Sequence, residues 1–137
     1  MEGLGRVFNV VAVADDVYVS LKDCQAVTFL GYKSGGDTFT ITEGTTAAGG
    51  TTAVLAKITN VYTSTGVGTG AWTKVTQAAG SAYVASADCV AFTIPATALS
   101  DGKKYLKCAS TSTGTVVAIV HDLNVQRTPA NLAILSA

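Results

Sequence analysis

Charge is the first thing this sequence lacks. Basic and acidic residues number nine each, and the charged share of 13% is about half of the roughly 25% usual for a soluble domain. The balance leaves no basic footprint for nucleic acid or an anionic membrane. No basic stretch interleaves with aromatics, which removes the stacking platform of a single-strand binder. No run approaches the roughly 20 apolar residues of a membrane-spanning helix. Val7 to Val13 is apolar, but Glu2 precedes it and the basic start of a secretory signal is missing, so assembly in a cytoplasm is expected. Cys24, Cys89 and Cys108 are odd in number and show no C-x-x-C spacing. They read as small buried hydrophobes kept reduced, with a single disulfide as the alternative.

Recognisable catalytic chemistry is also absent. His121 is the only histidine and stands beside Asp122. A general base needs a nucleophile within hydrogen-bond reach, and no nucleophile-elbow pattern is present. His121 is therefore expected to be a strand-end residue bonded to backbone or lying at an interface; a small hydrolase using it is the remote rival. One histidine with scattered thiols gives no zinc-finger spacing. Asp15-Asp16 lacks the oxygen-rich loop of a calcium site and reads as a turn. Gly66, Gly68 and Gly70 lack the Lys-Ser/Thr and the helix of a phosphate loop, and read as a hairpin loop. No catalytic, cofactor or metal residue is assigned, and the expectation is a protein that is not an enzyme.

What the chain does have is threonine, serine, glycine and alanine where surface lysine and glutamate would ordinarily stand. Threonine is β-branched and polar, and suits a pleated, half-wet sheet. Thr38 to Thr42 alternates, with Phe39 and Ile41 on one face and threonine on the other. Residues 4–14, 17–21, 26–32, 71–77, 83–85 and 89–94 read as further strands. Lys33 to Asp37 is a turn, and Glu43 to Thr52 reads as a small-residue loop. Val54 to Tyr62 fits both helical and strand spacing, and its β-branched content favours strand. Pro95 to Leu99 can make one helical turn. The sum is about eight or nine short strands with no long helix, an all-β antiparallel sandwich or partly open barrel. At 137 residues it reads as one domain with no internal boundary or exact repeat.

The closing stretch organises the rest. Lys104 to Cys108 alternates as a strand, Ser110 to Gly114 turns, and Val116 to Val120 returns as a buried central strand, a hairpin sealing the core. After His121-Asp122-Leu123 comes an extended Arg127-Thr128-Pro129, in which Pro129 cannot donate to a ladder. Asn131 to Leu135 is apolar with little chain left to cover it. Residues 123–137 thus read as a C-terminal docking arm, with Leu123, Val125, Arg127, Pro129, Leu132, Ile134 and Leu135 as contacts. Leu4 and Val7 of the first strand complete that surface. A surface so low in charge is poor protection against association, and an oligomer or a large assembly is expected. Trp72 reads as core or as an aromatic rim contact; with Tyr62 and Tyr83 it would form the platform of a glycan-binding module.

Several stretches together resemble one family. Val19-Ser20-Leu21-Lys22-Asp23 precedes a Val-Thr-Phe strand, and a strand from Thr38 leads through Glu43 to Gly49-Gly50. Ala71 to Ala79 follows a glycine loop, and His121-Asp122-Leu123 through Arg127-Thr128-Pro129-Ala130-Asn131-Leu132 closes the chain. The chain resembles the small all-β decoration or minor capsid proteins of tailed bacteriophages. The resemblance implies a virion structural protein with no catalytic residues, whose copies bind the outer surface of the major capsid protein lattice. The major capsid protein would be its partner, with neighbouring copies of itself. The alternatives are a tail or head–tail component, or a glycan-binding module displayed on the virion.

Overall fold

The computed structural model describes residues 7–13, 16–55, 60–66, 70–76, 83–85, 88–112 and 114–124. These residues include eleven strands: β1 (Val7–Val13), β2 (Val19–Ser20), β3 (Cys24–Tyr32), β4 (Asp37–Thr46), β5 (Gly49–Val54), β6 (Asn60–Ser64), β7 (Thr73–Val75), β8 (Tyr83–Ala85), β9 (Cys89–Pro95), β10 (Tyr105–Ser110) and β11 (Thr115–Leu123), with period-2 burial clearest in β4, β9 and β11. A 3-10 turn at Ala96–Ala98 follows Pro95, which ends β9 because it has no N–H for the ladder. Six strands form one sheet in the order β1-β11-β3-β9-β6-β7. The other runs β2-β10-β4-β5, with β8 beside the start of β4. Every pairing is antiparallel. The architecture is a β-sandwich.

The core lies between the sheets. Phe39 and Ile41 of β4 and Leu106 and Cys108 of β10 face Val27 and Phe29 of β3, Val90, Phe92 and Ile94 of β9, and Val116, Ala118 and Val120 of β11. The alternation read from Thr38 to Thr42 holds, with Phe39 and Ile41 buried and the threonines around them half-covered. Val116 to Val120, read as a wholly buried central strand, is central but buries only Val116, Ala118 and Val120, and leaves Val117 and Ile119 half-covered on the outer face. Two sheets close over one another where a bulky side chain meets a small one. Gly31 on β3 is such a place, because a Cβ there would lie 2.6 Å from Cε1 of Phe39 and 2.9 Å from Cγ1 of Val90. Both neighbours are fully buried and cannot swing away. Gly31→Ala is expected to cost about 1–3 kcal/mol through overpacking, read as a lower urea midpoint at unchanged m-value. A neutral result would show that the Phe39 ring has room to retreat.

Three parts of the chain fold differently from their sequence reading. Glu43 to Thr52 is a hairpin: β4 continues to Thr46 and β5 returns from Gly49, with Gly49 and Gly50 at φ of 95° and 59°. Those left-handed angles suit glycine and let a tight turn carry β-branched threonines into strand on both sides. Val54 to Tyr62 is two elements, β5 ending at Val54 and β6 starting at Asn60; residues 56–59 lie outside the described residues. The segments before and after Ser110–Gly114 do not form a hairpin. β10 pairs with β2 and β4, β11 pairs with β1 and β3, and the connection crosses from one sheet to the other.

That crossing is held from below by Asp37, at the start of β4. Its carboxylate accepts hydrogen bonds from the hydroxyls of Ser110, Thr111 and Ser112, from the Thr38 N–H at 2.7 Å and from the Ser112 N–H at 3.3 Å. Asp88 does similar work beside it, accepting from the Gly35 N–H at 2.8 Å and the Gly66 N–H at 3.0 Å. Carboxylates serve here as fasteners for loops.

Candidate interaction surface

The two outward faces of the sandwich differ. On the five-stranded sheet, cross-strand neighbours Lys107 and Thr42, and Ala109 and Thr40, present mainly polar, half-covered side chains. Tyr18 lies close over Gly44 and Gly49, where added Cβ atoms would meet its ring at 2.9 and 3.1 Å. The Lys107 ammonium sits 5.1 Å from that ring's centroid and pairs with Asp16. Tyr18 thus covers part of this face, while Val54, opposite Thr42, stands 44% exposed at its margin.

The six-stranded sheet carries a different pattern. Directly opposed residues point to the same side, so the register places Val117, Leu30, Ala91 and Tyr62 in one outward row across β11, β3, β9 and β6. Lys74 of β7 ends that row as its only charged side chain. At one end a notch of about 210 Å³ is walled by Leu30, Tyr32, Trp72, Cys89 and Val117. Trp72 is 52% exposed, and Tyr32 and Tyr62 are 36% and 37% exposed. Trp72 is thus a rim residue and not a core one: it falls just before β7, at the margin of the sheet, where no second layer covers it. An apolar, aromatic-rimmed sheet face is the mark of a contact surface.

Trp72 and Tyr62 share this outward side, as a glycan platform would need, while Tyr83 opens β8 opposite Phe39 in the other sheet. Among the described residues, the notch walls hold no amide or carboxylate side chain to grip sugar hydroxyls. The surface suits apolar protein contact better than carbohydrate.

The expected docking residues divide. Leu123 belongs to the core, with 6% exposure, and is paired with Cys24. The reason is local: Asp122 adopts φ of 54°, which breaks the alternation after Val120 and turns Leu123 inward. Asn124 is tied down as well, its N–H donating to the Asp23 carbonyl at 2.8 Å and its side-chain oxygen accepting from Gln25 at 2.9 Å. An arm rooted at Leu123 is therefore ruled out; any arm starts beyond Asn124. Val7 opens β1 opposite His121, so the first strand and the end of β11 meet at one corner. Leu4, Val125, Arg127, Pro129, Leu132, Ile134 and Leu135 lie outside the described residues.

His121, expected to bond to backbone or to lie at an interface, has side-chain partners. Its Nδ1 lies 2.8 Å from Oδ2 of Asp122 and its Nε2 lies 3.0 Å from Oγ1 of Thr28, which in turn lies 3.1 Å from Oγ1 of Thr93. Acid, imidazole and hydroxyl in line have the connectivity of a hydrolytic relay. A relay also needs N–H donors aimed at a developing oxyanion. Thr28 sits on β3, paired on both sides by β11 and β9, and the ladder consumes the amides around it. The chain of bonds clamps three neighbouring strands. No spacing rule could have shown it, because Thr28 lies 93 residues from His121.

All three thiols are free. Burial, with Asp23 beside it, pushes the Cys24 thiol up to about 11, and burial with Asp88 raises Cys89. Both stay protonated and poorly nucleophilic near neutrality. Cys89 is only half-buried, at the notch, in contrast to the burial expected of it. Among the described residues no group of His, Cys, Asp or Glu could hold a metal ion, and no helix is long and apolar enough to cross a membrane. Fold and face together define a β-sandwich with one mainly polar side and one more apolar side. The chain matches no protein-family model, no curated protein and no solved structure.

Proposed function

We propose that this is a non-enzymatic structural protein of a bacteriophage virion, a decoration protein on the outside of the capsid that binds and stabilises the major capsid protein lattice. The observation that carries the reading is the outward row of Val117, Leu30, Ala91 and Tyr62 with Trp72 at its rim, on a chain otherwise dressed in threonine. Burying such a face yields roughly 25 cal/mol per Å² of apolar area before ordering costs. Copies that touch around a local symmetry axis gain avidity from one another. A ligand that binds only the intact lattice stabilises that lattice by linkage. The resemblance to phage head proteins supplies the partner, and the apolar face supplies the means.

Rebinding to capsids stripped of this protein tests the proposal. Trp72→Ala removes an exposed aromatic anchor without touching the core, and is expected to weaken particle binding by about tenfold or more. Val117→Lys is expected to do the same by placing a charge in the row. Removing residues 129–137 is expected to abolish retention while the domain stays folded. Full occupancy by all three variants would reject the assignment. A tail or head–tail component would instead appear at a few copies per particle.

A further inference from the structure

A second concavity shares no residue with the notch. It is a groove of about 360 Å³ between the end of β2, the 3-10 turn and the start of β10. Leu21, Ala96 and Leu99 form its apolar floor and pack on the core or within it. Lys22, Lys103 and Lys104 stand around it. The walls are rigid, since the Leu21 N–H donates to the Lys104 carbonyl at 3.0 Å and the Lys104 N–H to the Gly44 carbonyl at 3.1 Å.

Among the described residues that line the groove, three are cations and none is an acid. Lys103 donates to the backbone carbonyl of Thr51, a neutral acceptor. Neither Lys22 nor Lys104 is in an ion pair with a described residue. Among the nearby acids, the Glu43 carboxylate is buried and accepts from the Ser100 N–H at 2.8 Å, and Asp23 has interactions of its own. Neither of these acids nor Asp101 lines the groove, whereas three of the nine basic residues of the chain do. A cationic rim over a greasy floor is complementary to a carboxylate next to an aliphatic side chain. The volume falls within the usual range for a small site of about 300–1,000 Å³, room for a few side chains and not for a folded surface.

We infer that this groove takes an acidic, leucine-like segment of a partner protein, a second point of attachment beside the apolar face. The inference rests on the docking reading only in taking the partner to be a protein. The test titrates the isolated full chain, followed by amide NMR, with the capped peptide Glu-Leu-Glu-Leu-Glu. Lys-Leu-Lys-Leu-Lys and inorganic phosphate serve as comparison ligands. Saturable shifts are expected at Leu21, Leu99 and Tyr105, weakened by salt and by about tenfold in K22E/K104E. Both lysines are exposed, so an unchanged melting temperature is expected for that variant; K22A and K104A singly give the same reading should the double variant unfold. No saturable shift, an equal response to the lysine peptide or to phosphate, or undiminished binding by the variants would overturn the inference. Particle occupancy of the variants is measured separately. Occupancy unaffected by loss of groove binding removes the groove from attachment and leaves the apolar face standing.

Discussion

Replacing Phe92 with alanine is expected to remove about 3–5 kcal/mol of stability, out of a total that for a domain of this kind is about 5–15 kcal/mol. The site explains the size. Phe92 is fully buried on β9, directly opposite Phe29 of β3 on one side and Val61 of β6 on the other, all at 0% exposure. Ala118 of β11 continues that row beyond Phe29. The row sets two rings side by side between the smaller Ala118 and Val61, and the opposite sheet packs on it. Deleting a ring from its middle leaves a void bordered by two paired ladders, which cannot collapse without breaking strand register. Phe92→Leu is expected to recover most of the loss by refilling the volume. Urea denaturation of the pair decides it: a Phe92→Ala cost below about 1 kcal/mol would mean that the sheets can close over the gap.

The second large effect belongs to Asp37. Burial by itself would raise this carboxyl, but hydrogen bonds from Ser110, Thr111, the Thr38 N–H and Ser112 outweigh it. They hold the group well below the usual carboxylate range. The sign follows from linkage. A group whose folded value is depressed adds stability that is present above its unfolded value of about 3.9, and that drains away as the pH falls through the folded value. The native protein is therefore expected to lose stability steeply below about pH 4. Asp37→Asn is expected to be less stable at neutral pH by about 1–3 kcal/mol and to show a flatter acid limb. Asp37→Ala goes further, removing the carboxylate that three hydroxyls of the crossing and the Thr38 and Ser112 amides share. Urea midpoints measured between about pH 2 and pH 7 test this. Parallel acid limbs for native and Asp37→Asn proteins would contradict it.

Much of the fold was legible because alternation is a local signal. Phe39 and Ile41 between threonines, or Val116, Ala118 and Val120 along one run, show their faces without knowledge of any partner. The pairing was not legible. Lys104 to Val120 looks like a hairpin because two strands flank a Ser/Thr/Gly turn, yet the same turn serves to cross between layers. The deciding residue, Asp37, stands 73 positions before Ser110. Glu43 to Thr52 looked like a loop because small residues are depleted in strands; Ala47 and Ala48 make the turn, the two left-handed glycines open the returning strand, and the threonines pair. Trp72 illustrates a third limit, since an aromatic on an alternating segment suits a core or a rim equally, and only the margin of the sheet separates them. Leu123 fell to a single left-handed aspartate. The lysine groove was invisible to a census of charge, because its cations are spread over the chain and the totals cancel.

The order in which the chain visits the two layers has a kinetic consequence. β1, β3, β6, β7, β9 and β11 lie in one sheet and β2, β4, β5, β8 and β10 in the other, so only β4–β5 and β6–β7 join neighbours in sequence. Apart from those two, every ladder must wait for distant chain to arrive, and the search is slow because loop closure comes before the reward. The same interleaving resists the reverse process for the inner strands, since β3, β9 and β11 are each held on both sides by partners distant in sequence. Such a molecule is slow to make and slow to lose, and persistence of this kind suits a part that, once placed, is never remade.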